Sequence, residues 1–336
     1  MADAPGILPC QAIEALAASG AVSASTPLAP GQVQPASLDL RLGARCWRVR
    51  ASFLPGPGRT VAERLTAVAM HELDLEGGEV LERGCVYIAE LQERLALPPG
   101  VSARANPKSS TGRLDIFVRL LTDGGPAFDD VAPGYRGPLY VEIAPQTFSV
   151  LARAGSRLNQ LRLRRGAAPR ITVTTVSVDL TGPLAGYRAR RHAGVIDLDH
   201  EDGHDPRDFF EALEARRGEL LLDPGEFYIL ASKQAVEIPL DQAAEMSPID
   251  HAFGEFRAHY AGFFDPGFGL ADIGGGGSSA VLEVRSREAP FLLEDGQAVG
   301  RLVFEPMAER PARAYGDGGS HYQRQGLKLS KHFKAW

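Results

Sequence analysis

Cysteine is scarce in this chain of 336 residues, and Cys10, Cys46 and Cys85 are odd in number and far apart. That excludes a disulfide framework and any Cys-x-x-Cys metal site, and it fits a reducing cytoplasm. No apolar run approaches the ~18 residues of a spanning helix, so no membrane span is expected. The amino terminus, Met-Ala-Asp-Ala-Pro-Gly, lacks a basic segment followed by an apolar one, so no export is expected either. There is no excess of positive charge: the formal net charge is −6, which argues against a general nucleic-acid binder and leaves any anion site to local cations. Aromatic residues make up only 7%, too few to suggest a base-stacking platform. The Gly-x-x-x-x-Gly-Lys-Ser/Thr phosphate loop is also absent.

Glycine (37) and proline (24), by contrast, are abundant. Many turns between short strands produce such an excess, and the composition is that of a globular, mainly β protein with a few short helices. Ile13, Leu16 and Ala17 at helical spacing, stopping at Gly20, predict an amino-terminal helix within 8–22. Ser37 to Gly43, Ser-Leu-Asp-Leu-Arg-Leu-Gly, alternates polar and apolar side chains and predicts a strand with one wet face. Thr60 and Glu63 form a capping box for a helix to about Met70. Short strands are expected at 79–81, 86–90, 116–121, 139–143 and 161–163.

The second half repeats this plan. Gly84, Tyr87, Ile88, Pro98, Pro107, Glu142 and Gly155 find Gly225, Tyr228, Ile229, Pro239, Pro248, Glu283 and Gly296, each 141 positions later. Pro133-Gly134 recurs at Pro266-Gly267, an offset of 133, so the second half carries extra residues before its glutamate. The run Gly274 to Gly277 with Ser278 and Ser279 accounts for them and is expected to form a flexible loop. Asp205 and Pro206 are a good cap and first position for a helix through Glu214. Two similar domains are therefore expected, 1–166 and 167–336.

The chemistry is unevenly divided between them. Asn106 to Arg113, Asn-Pro-Lys-Ser-Ser-Thr-Gly-Arg, gathers two cations, hydroxyl donors and a glycine, the equipment for a polyphosphate. Lys108 and Arg113 supply charge, Ser109 and Ser110 supply donors, and each charge-assisted bond is worth roughly 1.5–3 kcal/mol. The second half reads Ser247-Pro-Ile-Asp-His-Ala-Phe-Gly there, without those cations. Conversely, Asp265 precedes the second Pro-Gly pair where Ala132 precedes the first. Each half keeps one glutamate in an apolar strand, Glu142 and Glu283; such a residue is a salt-bridged strand residue or, if enclosed, a general base with raised pKa. Tyr315, Tyr322, Gln323 and Gln325 lie in a tail that is either solvated or a lid over bound nucleotide. His200 and His204 among Asp197, Asp199, Glu201 and Asp205 mimic metal spacing but read as a solvated acidic loop.

Taken together, the amino-terminal helix, Ser-Leu-Asp-Leu-Arg-Leu-Gly, Pro-Lys-Ser-Ser-x-x-Arg, Pro-Gly-Tyr followed by Glu142, Asp265-Pro-Gly-Phe followed by Glu283, and the Tyr315 to Gln325 tail resemble the dCTP deaminases, relatives of the trimeric dUTPases. The resemblance spans nearly the whole chain, in family order, and is to the double-length bacterial form. It implies two tandem dUTPase-like distorted β-barrels, a homo-oligomer, the family's form being a trimer, and hydrolytic deamination of dCTP to dUTP and ammonia. It further implies that Lys108, Ser109, Ser110 and Arg113 hold the triphosphate with its Mg²⁺, that Asp265 lines the sugar and base, and that Tyr315, Tyr322 and Gln325 close over the nucleotide. A strand glutamate activates water, Glu283 by preference and Glu142 otherwise. No zinc is implied, and the Pro-Cys-x-x-Cys signature of zinc deaminases is absent. Lys108 stands where the family commonly has arginine, and Ala132 where it has aspartate. Tyr135-Arg136-Gly137 resembles the uracil-side motif of the dUTPase branch, so dUTP diphosphatase activity, alone or added to deamination, is an alternative. A non-catalytic nucleotide-binding protein is another.

Overall fold

In the computed structural model, residues 4–167, 171–249, 256–259, 262–271, 277–286, 289–317 and 322–336 are described. The fold is mainly β. One five-stranded sheet joins Gly6–Ile7, Asn159–Arg165, Val101–Pro107 and Asp130–Val131, with Leu38–Leu40 also paired to Asn159–Arg165. A six-stranded sheet runs Ala69–Asp74, Leu42–Val49, Val86–Ala96, Arg136–Pro145, Ile116–Thr122, with Val22–Ala24 on Val86–Ala96. The later residues build a four-stranded sheet, Thr172–Ser177, Ala298–Pro306, Gln242–Pro248, Phe263–Phe264. They also build a five-stranded one, Phe210–Leu213, Gly186–Ala189, Phe227–Val236, Ser278–Ser286, Phe256–His259.

The halves are stitched together rather than merely adjacent. Ile196–Asp197 pairs in parallel with Val150–Ala152, and the largest apolar cluster unites Leu40, Ile116 and Phe148 with Ile196, Phe210 and Phe333. A second cluster, around Tyr228, Leu230, Leu282 and Leu302, belongs to the later residues alone. Burial of so many branched and aromatic side chains supplies the main driving force for the fold, and the shared cluster extends it across the seam. Ion pairs reinforce the seam: Arg162 with Asp265 at 3.0 Å, Arg153 with Asp197 at 2.6 Å, and Arg164 with Glu305.

The amino-terminal helix forms at Cys10–Ala18. The capping box is present: Thr60 accepts from Glu63 N–H and the Glu63 carboxylate accepts from Thr60 N–H at 2.7 Å, opening the helix Val61–Val68. Every expected strand exists, most of them longer than expected.

Three expectations are corrected. The segment after Asp205 is not a helix through Glu214: Asp205 does cap, accepting from Arg207 N–H at 2.9 Å, but one 3-10 turn, Pro206–Asp208, gives way to the strand Phe210–Leu213. Phe209 and Phe210 are buried in the shared cluster, and that burial overrides the local helix signals. The Ser37–Gly43 segment has no wet face. Asp39 is buried against Lys108, and Arg41 donates through Nε to Glu93 at 2.8 Å, so the alternating polar residues are neutralised in pairs instead of being solvated. Ser278 and Ser279 begin the strand Ser278–Ser286 rather than belonging to a loop, while 272–276 of the glycine run lie outside the described residues. So do 250–254 of the stretch opposite the phosphate-type motif.

Candidate active site

The strand Val101–Pro107 ends at proline, and the chain then makes a single helical turn, Ser109–Gly112, before the strand Ile116–Thr122. Thr111 and Gly112 N–H both donate to Lys108 C=O, so the turn projects Lys108, Ser109, Ser110 and Arg113 off the sheet edge. These four face a cavity of about 360 Å³. Its other wall belongs to the second half: Asp265 after the strand Phe263–Phe264, and Glu283 within Ser278–Ser286. Tyr315, Tyr322 and Gln325 of the tail complete it. Nine residues singled out in the sequence thus meet at one place, within a single chain.

Glu142, the tenth, is elsewhere. It is buried in Arg136–Pro145 opposite Arg119 on the neighbouring strand, and Arg119 Nε donates to its Oε1 at 3.0 Å. That is the salt-bridged reading of a strand glutamate. Glu283 has the contrasting environment. It is 6% exposed, and desolvation pushes its carboxyl up to about 8, against the opposing pull of Arg113, whose Nε lies 4.0 Å from Glu283 Oε1. Asp265 is raised by burial as well, with Arg162 opposing through a 3.0 Å contact. The Arg162 guanidinium also lies 4.0 Å over the Phe263 ring and donates to Ala244 C=O at 2.9 Å, which fixes that wall.

Arg113 is more committed than a free phosphate ligand would be. One Nη donates to Lys328 C=O at 2.9 Å, the other to Gln325 Oε1 at 3.0 Å, and the Tyr322 ring lies 4.1 Å from the guanidinium carbon. Its place is between the tail and Glu283. The tail itself is packed: Gln325 exchanges main-chain and side-chain bonds with Ser279, and Ser330 Oγ donates to Ser110 C=O at 2.7 Å. Residues 318–321 lie outside the described residues.

Among the lining residues that sequence reasoning missed are Asp39, Gln160, Arg313 and Lys331. Asp39 pairs with Lys108 and has Arg157 at 3.7 Å, yet its Oδ1, buried, has no hydrogen-bond partner. In the alternating segment Ser37 to Gly43 the pattern reads Asp39 as solvated, and only its burial against Lys108 sets it apart. Arg313 and Lys331, paired with Glu14 and Glu201, stand in the tail among other basic residues, where nothing local distinguishes them.

Beyond Phe263 lies a second cavity of about 350 Å³, lined by Arg104, Ala132, Tyr135, Arg164, Glu245 and Glu305 among others. Tyr135 is used structurally there, donating to Pro138 C=O at 2.7 Å and accepting from Asp123 N–H. The acidic loop around His200 is tied down by Arg153, which binds both Asp197 and Asp199, so it is ion-paired rather than simply solvated. Among the described residues no group of three or more His, Cys, Asp or Glu is placed to hold a metal.

A buried carboxyl of raised proton affinity facing a cation-bearing turn across one cavity defines a class: a mainly β protein with an enclosed carboxyl and cations lining the same space. The chain belongs to the dCTP deaminase family. Residues 4–167 match the 2'-deoxycytidine 5'-triphosphate deaminase N-terminal domain, and 154–333 match its C-terminal domain. The crystal structure of 2'-deoxycytidine 5'-triphosphate deaminase from Agrobacterium tumefaciens superposes with a TM-score of 0.87 at 52% identity, covering 92% of this chain and 99% of that one. A dCTP deaminase of Haloarcula marismortui is 31% identical over 168 residues, 48% of this chain and 76% of the relative. One of Halorubrum lacusprofundi is 34% identical over 132 residues, 39% of this chain and 62% of the relative, so the chain spans less than two thirds of that relative's length. A relative from a Nocardioides species, 30% identical over 144 residues (43% of this chain, 72% of the relative), is named dCTP deaminase, dUMP-forming.

Proposed function

We propose that this chain hydrolyses the amino group of dCTP, giving dUTP and ammonia, in the cavity between Lys108 and Glu283. The observation that carries the reading is that the cationic turn of one half and the enclosed carboxylate of the other line one space. Glu283, in its ionised form, takes a proton from water as the oxygen adds to the amino-bearing ring carbon. The carboxyl passes that proton to the ring nitrogen, then takes the proton of the newly added hydroxyl and hands it to the departing amine, so ammonia leaves and the carbonyl of uracil remains. With its carboxyl near 8, about a tenth is ionised at neutral pH, and the Arg113 guanidinium favours that fraction. Lys108, Ser109 and Ser110 hold the triphosphate, with Arg313 and Lys331 at the same cavity. Magnesium enters on the triphosphate as part of the substrate, and the partnerless Asp39 Oδ1 is an acceptor of this chain at that end. Asp265, fixed by Arg162, borders the sugar and base, and Tyr315, Tyr322 and Gln325 close the nucleotide in.

The two halves, 1–166 and 167–336, are read as diverged copies of one dUTPase-like barrel. Three pairs of matching interactions support this. Glu142 stands opposite Ile88 as Glu283 stands opposite Ile229. Gly84 N–H donates to Pro145 C=O as Gly225 N–H donates to Ser286 C=O. Tyr87 Oη accepts from Glu82 N–H at 2.9 Å as Tyr228 Oη accepts from Asp223 N–H at 2.8 Å. Each pair keeps the 141-residue offset. Assembly as a trimer in the cytoplasm completes the proposal; the free state of Cys10, Cys46 and Cys85 supports a reducing compartment.

A second reading adds diphosphatase chemistry, because relatives are named dUMP-forming. Incubation with dCTP and Mg²⁺ followed by product separation tests both. Ammonia with intact dUTP is the expected result; pyrophosphate with dUMP selects the second reading. Nucleotide bound without turnover would overturn both in favour of a binding protein.

A further inference from the structure

Two residues past Arg113, Asp115 is buried and takes a positive φ of 57°, a conformation that glycine adopts freely and side-chain-bearing residues resist. A carboxylate held there against the backbone's preference calls for a reason. Asp115 Oδ2 accepts from Arg285 Nη2 and from Thr147 Oγ1, and Arg285 Nη2 donates to Thr147 Oγ1 at 2.9 Å. Arg285 follows Glu283 by two positions on the strand Ser278–Ser286, so both project from the same face. Segments 113–115 and 283–285 are therefore cross-linked twice, with the charges reversed: Arg113 to Glu283, and Asp115 to Arg285. Asp115 C=O also receives Gln146 N–H, tying the junction to the turn that carries Thr147.

We propose that Asp115 and Arg285 are positioning residues for the deamination, a buried clamp between the halves that fixes where Glu283 stands relative to Arg113. The inference rests on the deaminase reading. Without the clamp, the strand bearing the base is free to shift against the turn bearing Arg113 and the serines, and a displacement of that order costs up to about a hundredfold in rate. Among the described residues, the charged groups acting on Glu283 are Arg113, which favours its ionised form, and Asp115, which opposes it; in backbone register the neighbouring strand sets His259 opposite. The clamp thus influences both the position and the titration of the base.

The test is a double-mutant cycle on the full chain with dCTP and Mg²⁺. Asp115→Gly keeps the backbone conformation and removes the carboxylate; Arg285→Gln removes its partner. Each single change is expected to lower kcat by about ten- to a hundredfold with KM held within about threefold. The double variant is expected to be no worse than the weaker single, because both break one interaction. In Asp115→Gly the acid limb of the kcat/KM profile moves to lower pH, a displacement that a purely structural loss would not produce. Singles that keep kcat within about twofold, or damage that multiplies in the double, overturn the proposal. If Asp115→Gly fails to fold, Arg285→Lys replaces it, and full kcat there counts against the clamp. Carboxyl carbon-13 NMR of substrate-free protein, assigned with Glu283→Gln, provides a readout independent of turnover. An unmoved Glu283 titration in Asp115→Gly, or in Arg285→Gln, where Asp115 loses the cation that neutralises it, overturns the clamp even if wild-type protein leaves dCTP unchanged, which would instead defeat the deaminase reading.

Discussion

Glu142 and Glu283 each stand in a strand opposite an isoleucine, Ile88 and Ile229, and their other neighbours give them contrasting surroundings. Arg119 faces Glu142 across the sheet and binds it directly, whereas Glu283 is desolvated at a cavity wall with Arg113 only at 4.0 Å. Glu283→Gln is therefore expected to lower kcat by about 10²–10⁴, while Glu142→Gln keeps kcat within about threefold; steady-state rates with dCTP read both. In the proposed reaction the ionised form of Glu283 is the base and burial raises its carboxyl to about 8, so kcat/KM is expected to rise with pH and level off above about 8. The same shift links to stability with the opposite sense. A carboxyl whose folded pKa is raised contributes stability that is full below its unfolded value of 4.5 and is lost as pH rises through about 8, so Glu283→Gln flattens the melting temperature over that window. The pair of glutamates was legible in the sequence through their offset. Which of them is ion-paired was not, since Arg119 reaches Glu142 only through strand register 23 positions away.

At the scale of elements, the tail is a strap anchored at its far end. His332 donates to Leu198 C=O at 3.0 Å, and Phe333 packs among Phe209 and Phe210 with ring centroids 5.3 and 5.4 Å apart. Burial drives His332 down to about 4, so its contribution is present above its unfolded value of 6.5 and lost as pH falls towards 4. Phe333→Ala removes the anchor. Faster tryptic cleavage within 322–334 and a drop of about tenfold or more in kcat/KM are expected, because Arg113 then loses its main-chain partners in the tail. Unchanged cleavage would show that the anchor lies elsewhere. The local signals at Thr60 were sufficient to place a helix, yet equally good ones at Asp205 were not. The difference lies in Phe209 and Phe210, whose burial depends on the tail and on Phe148, residues far away in sequence.

For the molecule as a whole, the uneven spread of the cavity's polar residues was readable from what each half lacks: the phosphate-type cations in the second, the aspartate in the first. What could not be read was that these two sets of residues face each other within one chain, because that depends on the packing of Ile196–Asp197 on Val150–Ala152, the shared apolar cluster and the ion pairs across the seam. The account therefore stands on a single composite cavity. A crystal structure of the Glu283→Gln variant with dCTP and Mg²⁺ tests it most directly. It should show the amino-bearing carbon of cytosine against position 283 and the triphosphate against Lys108 and Ser109 of the same chain. Nucleotide lodged instead in the second cavity beside Tyr135 and Arg104, or held by Lys108 of one chain and position 283 of another, would contradict it.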